Sequence, residues 1–167
     1  LAGHGTFIAG LVHQACPDAD ILSWRAVPAD GPIVESDLII ILAQVAELAR
    51  IRPIDVLSLS MGYYHETPMD ALFDKTMHEV LVDLTSQGTV VVCSAGNDST
   101  SRPSFPAAFA PWRADADEDG PFETPPGTLP IVSVGALNPH EGTDALFSNA
   151  GPWVRSYAPG AALMSTM

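Results

Sequence analysis

Val90-Val91-Val92-Cys93-Ser94-Ala95-Gly96-Asn97 is the stretch on which the fold turns. Three consecutive valines and a small thiol show no polar alternation, which suits a strand covered on both faces, as parallel strands in α/β domains are. The run then breaks into small residues and an amide, where such strands give way to loops. Working outward, residues 55–60 and 131–135 read as strands of the same kind, and residues 21–27 as a further one. Between them the spacing predicts helices. Leu38, Ile41, Leu42, Val45, Leu48 and Ala49 make one apolar stripe over residues 36–50, with Pro53 forcing the exit. Thr67 as N-cap and Pro68 at the first helical position open a second helix; Leu72, Phe73, Met77, Val80, Leu81 and Leu84 form its stripe, and Gly88 stops it. Strand, helix, strand, helix, strand is the order of an α/β domain with a mostly parallel sheet. Ligands of such folds gather beyond the carboxyl ends of the strands, here residues 60–64 and 95–98.

Composition bounds the function. The 167 residues are 47% hydrophobic and 16% charged, enough for one buried core. Seven Lys and Arg against 20 Asp and Glu leave a net charge of −13, which repels a nucleic-acid backbone. The longest apolar run falls far short of the roughly 20 residues that cross a bilayer, so neither nucleic acid nor membrane is an expected partner. No targeting signal is legible, and the compartment is not read from the sequence. Cys16 and Cys93 could pair or stay free, and read first as two buried thiols. His13, His65, His78 and His140 show no paired metal spacing.

Residues 98–130 differ from the rest. Pro103, Pro106, Pro111, Pro121, Pro125, Pro126 and Pro130, with a cluster of acids from Asp115 to Glu123, predict a Pro-rich acidic loop inserted in the domain. Asp115, Asp117 and Asp119 followed by Gly120 match the first half of a calcium loop, but Pro126 stands where a closing bidentate Glu belongs. The stretch therefore reads first as a solvated acidic insertion, with calcium the alternative and no organic cofactor implied.

Two residues invite chemistry. His4 lies between Gly3 and Gly5 at the start of a short apolar helix, where the helix N-terminus disfavours an imidazolium and the glycines let other segments approach. Its plain alternative is a solvated or structural histidine. Asn97 offers an NH₂ to a developing oxyanion beside the small Ala95 and Gly96; its plain alternative is a turn asparagine. Ser60, Met61 and Gly62 end another buried strand with a backbone edge open to an extended peptide.

Taken together these segments resemble the subtilisin-like serine peptidases, the subtilases. His4-Gly5-Thr6 with Ala9-Gly10 is similar to the motif around that family's catalytic histidine. Ser60-Met61-Gly62 resembles its substrate-binding strand, and Ala95-Gly96-Asn97 the opposite wall with the oxyanion asparagine. Ser104-Phe105-Pro106-Ala107, the strand Ile131-Val132-Ser133-Val134-Gly135-Ala136, Phe147-Ser148-Asn149-Ala150-Gly151 and Ala158-Pro159-Gly160 follow in the family's order.

The resemblance implies a three-layer α/β domain with a parallel central sheet flanked by helices. It implies a serine endopeptidase with polypeptide substrates, in which His4 is the base, Asn97 the oxyanion donor, and Ser60, Met61, Gly62, Ala95 and Gly96 the cleft. Subtilases also often bind calcium in surface loops. The family's triad runs Asp, His, Ser along the chain. No residue precedes His4 as that Asp, and no Gly-Thr-Ser is present; Ser165 lacks the preceding Gly-Thr. Residues 1–167 therefore read as the middle of a subtilase catalytic domain, expected to be inactive alone.

Two other classes compete with this reading. A degenerate subtilase keeping a peptide groove without chemistry is the alternative. A dinucleotide site at residues 3–10 fails, since the spacing is G-x-G-x-x-x-x-G and no strand precedes it. Tyr63 and Tyr64 replace the small residues many family members carry after the glycine, and are expected to narrow the cleft or stack on substrate.

Overall fold

The structure, a computed structural model, describes residues 3–27, 33–66, 75–112, 122–140 and 142–166. Its elements are α1 (His4–Ala15), α2 (Glu35–Ile51), β1 (Val56–Leu59), α3 (Lys75–Ser86), β2 (Val90–Ser94), β3 (Val132–Leu137) and β4 (Ser156–Pro159), with a 3-10 turn at Ala107–Phe109. The strands form one sheet in the order β1-β2-β3-β4, and every neighbouring pair is parallel. This is the α/β arrangement with flanking helices that the sequence predicts.

The helices form where the stripes place them. Glu35 and Asp37 in the first turn of α2 complement the helix dipole, as does Arg50 in the last. Leu38, Leu42, Val45 and Ala46 of α2 are buried, as are Met77, Leu81 and Leu84 of α3, all at helical spacing. The two helices pack on each other and α3 lies on β2. Gly88, at φ +93°, ends the helical run, and Thr89 Oγ1 donates to the Ile54 carbonyl at 2.8 Å, bringing β2 into register with β1. Thr67, Pro68, Leu72 and Phe73 lie outside the described residues.

Along β2, Val91 and Cys93 are fully buried while Val90, Val92 and Ser94 are partly so. The core continues through Leu59, Phe105, Ala107, Ala108, Phe109, Ile131 and Trp153. Ser104 to Ala110 are buried throughout, so this part of the proline-rich stretch is core rather than surface. No described helix is long and apolar enough to cross a membrane.

Two expectations are corrected. Residues 21–27 form no strand. A strand exists through its ladder, and none of the sheet's strands pairs with this segment; Ala26 N–H instead bonds locally to the Trp24 carbonyl. Ile21, Leu22 and Trp24 are 41%, 45% and 46% exposed, so the apolar run is not buried either. The second correction concerns Cys16, which is exposed at the end of α1, a helix with no buried residue. Cys93 is buried as expected, and burial pushes its thiol up to about 12.

Candidate active site

Parallel pairing decides what meets at the functional end of the sheet. Leu59 of β1 stands opposite Cys93 of β2, so Ser60, Met61 and Gly62 leave the sheet beside Ser94, Ala95 and Gly96. The first segment is then pinned by a two-way bridge: Tyr63 N–H donates to the Phe105 carbonyl and Phe105 N–H to the Tyr63 carbonyl, both at 2.9 Å. Gly62 allows this approach, because a Cβ there would lie 2.6 Å from Ser104 Oγ.

The second segment is held from the other side of the chain. Ala95 N–H donates to the Val134 carbonyl, and Ser99 N–H to the Phe147 carbonyl at 3.0 Å. Asn149, wholly buried, reaches across the loop, and its N–H donates to the Gly96 carbonyl. Gly96 has φ +105°, and a Cβ there would collide with the Asn149 amide. Asn97 itself is exposed at the centre of this laced loop.

His4 opens α1 and is exposed, with Gly3 in the left-handed region before it. The hydrogen bonds holding α1 run to residues 164–166: Ser165 Oγ donates to the Phe7 carbonyl at 2.7 Å and Gln14 Nε2 to that of Met164. A Cβ on Gly10 would strike Ser165 Oγ, so that glycine admits the segment. The structure therefore brings the two cleft segments and Asn97 together at the sheet end, while His4 sits on a separate element.

The tyrosines have partners within the protein. Tyr63 packs against the core, its hydroxyl 3.7 Å from Met77 Sδ. Tyr64 directs its hydroxyl to Asp98 Oδ2 and receives a bond from Asn149 Nδ2 at 2.7 Å, with Arg102 lying over its ring. Burial, chiefly, and the bond to Asp98 raise its pKa. Nothing local in the sequence signals that Asn149 and Asp98 bond to this loop and to Tyr64. The pairing of a glycine before Asn97 with a second amide far along the chain carries no local signal.

Asp115, Asp117 and Asp119 lie outside the described residues. Among the described residues no three His, Cys, Asp or Glu side chains group as metal ligands.

The sheet is parallel throughout, and residues 60–62 and 95–97 meet at the carboxyl ends of its first two strands, as in an α/β protein whose ligands gather there. The sequence matches the Subtilase family (Peptidase S8) over residues 1–166, and the chain belongs to that family. It is 26% identical to a thermophilic serine proteinase of Bacillus sp. (strain AK1), a match covering 100% of this chain and 36% of that protein. It is 27% identical to the minor extracellular protease Epr of Bacillus subtilis (strain 168), over 98% of this chain and 22% of that protein. The chain thus spans about a third or less of the length of these relatives. Its fold is similar to that of a cold-adapted subtilisin-like serine proteinase, with a TM-score of 0.72 at 22% identity, over 97% of this chain and 50% of the other. It is also similar to a lanthipeptide protease, with a TM-score of 0.74 at 19% identity, over 99% and 45% respectively.

Proposed function

We propose that the complete protein is a serine endopeptidase that cleaves polypeptides through an acyl-enzyme. The observation that carries this reading is the exposed Asn97 on a fixed loop beside the peptide-edge segment of Ser60, Met61 and Gly62. An extended substrate would lie between that segment and Ala95-Gly96. His4 would take the proton of the attacking serine hydroxyl and return it to the leaving amine. Asn97 Nδ2 would donate to the oxygen of the scissile carbonyl as it gains charge. The serine, and the aspartate that orients the imidazole, would come from the parent chain beyond these residues.

Peptide-hydrolysis kinetics on the complete protein test the assignment. His4→Ala abolishes turnover. Asn97→Ala lowers kcat by roughly 10²–10³, the scale known for such a donor in subtilisin and carried over from that enzyme, with KM little changed. Unchanged turnover in either variant removes that residue's role, and peptide binding without turnover by the wild type makes the protein a peptide-binding module instead.

A further inference from the structure

An oxyanion donor works only if its nitrogen is held within a few tenths of an ångström of where charge will develop. Asn97 is exposed and sits on a loop, so its precision must come from the backbone around it. That backbone is gripped by one side chain. Asn149 Nδ2 donates to the Ala95 carbonyl at 2.9 Å and to Tyr64 Oη at 2.7 Å, and Asn149 Oδ1 accepts from the N–H groups of Asp98 at 2.9 Å and Thr100 at 3.2 Å. Both amide protons and both lone-pair sites are thereby used. With its own N–H on the Gly96 carbonyl at 3.0 Å, Asn149 holds the residues on both sides of Asn97. Tyr64 closes the arrangement. Its hydroxyl accepts from Asn149 and donates to Asp98, which ties the segment following Gly62 to the loop that bears Asn97.

We propose that Asn149 and Tyr64 are positioning residues that set the Asn97 amide for oxyanion binding. The inference rests on the serine-endopeptidase reading. A wholly buried amide with all its hydrogen-bonding sites used is held in one orientation, and losing one partner loosens the others. Asn149→Ala takes the side-chain partner from three loop groups, the Ala95 carbonyl and the Asp98 and Thr100 N–H groups, whereas Tyr64→Phe removes one hydroxyl and keeps the ring under Arg102.

The test is a double-mutant cycle on the complete protein, with active enzyme counted by burst titration. Asn149→Ala is expected to lower kcat on the order of 10- to 100-fold and Tyr64→Phe about 3- to 10-fold, both with KM within about twofold. In an Asn97→Ala background each should lose most of that effect, falling within about twofold of Asn97→Ala alone. Effects that multiply undiminished onto Asn97→Ala show a general structural role and overturn the proposal. So does wild-type kcat in both single variants while His4→Ala and Asn97→Ala remain impaired. If Asn149→Ala does not fold, the Tyr64→Phe cycle decides alone. A wild-type protein with no peptidase activity removes the endopeptidase reading first, and the positioning role with it.

Discussion

At the residue scale, the glycines show where the chain is constrained most tightly. Gly96 meets two demands at once, a φ of +105° and a buried amide packed where a Cβ would stand. Gly96→Ala should therefore destabilise the protein by about 1–3 kcal/mol from backbone strain, with a further loss from displacing Asn149. Chemical denaturation of the purified variant checks this, and wild-type stability would mean that the loop relaxes freely. The place of Ala95, Gly96 and Asn97 at the end of a buried strand is legible in the sequence, because a valine run that ends in small residues and an amide is a local pattern. The role of Asn149 is not, because its bonds to Ala95, Asp98 and Thr100 join positions about fifty residues apart. Tyr64 is legible only in part, for a related reason. Its size is visible in the sequence, but the direction of its hydroxyl is fixed by Asp98 and Asn149, which only the fold brings near.

At the element scale, strands and helices with their own periodicity come through and the segment that needs a partner does not. Val56–Leu59, Val90–Ser94 and Val132–Leu137 fall inside or within two residues of the predicted strands. Residues 21–27 carry an equally apolar pattern but no neighbouring strand, and a pattern alone makes no ladder. Helix α3 adds a dependence on pH. Its His78 lies against Phe109 and Phe122, with ring centroids 5.3 Å and 4.7 Å away, and burial lowers its pKa below the ordinary 6.5 despite the opposing pull of Glu79. A histidine whose folded pKa is depressed favours the folded state while neutral. Its contribution is complete above pH 6.5 and is lost as the pH falls from 6.5 toward the folded value. The Tm of the complete protein should thus drop between pH 7 and pH 5.5 by more in wild type than in His78→Phe. Measured in a His4→Ala background to suppress self-cleavage, parallel pH profiles for the two would remove His78 from the account.

At the scale of the whole molecule, the parallel sheet gathers one end of β1 and one end of β2, and the loop from Ala95 to Thr100 is fastened there to residues 146–150. The architecture was legible because hydrophobic period, proline and glycine placement and strand order all point to the same fold. The place of His4 relative to the sheet end is not legible, since among the described residues the hydrogen bonds from other segments to α1 come from residues 164–166. The reading we propose has His4 of the complete protein act as base for a serine beyond residues 1–167. Labelling of the complete protein by a fluorophosphonate probe, with mapping of the modified residue, tests it most directly. The account predicts stoichiometric labelling of one serine outside residues 1–167, lost in His4→Ala. Labelling of a serine within residues 1–167, or labelling that persists undiminished in His4→Ala, would contradict it.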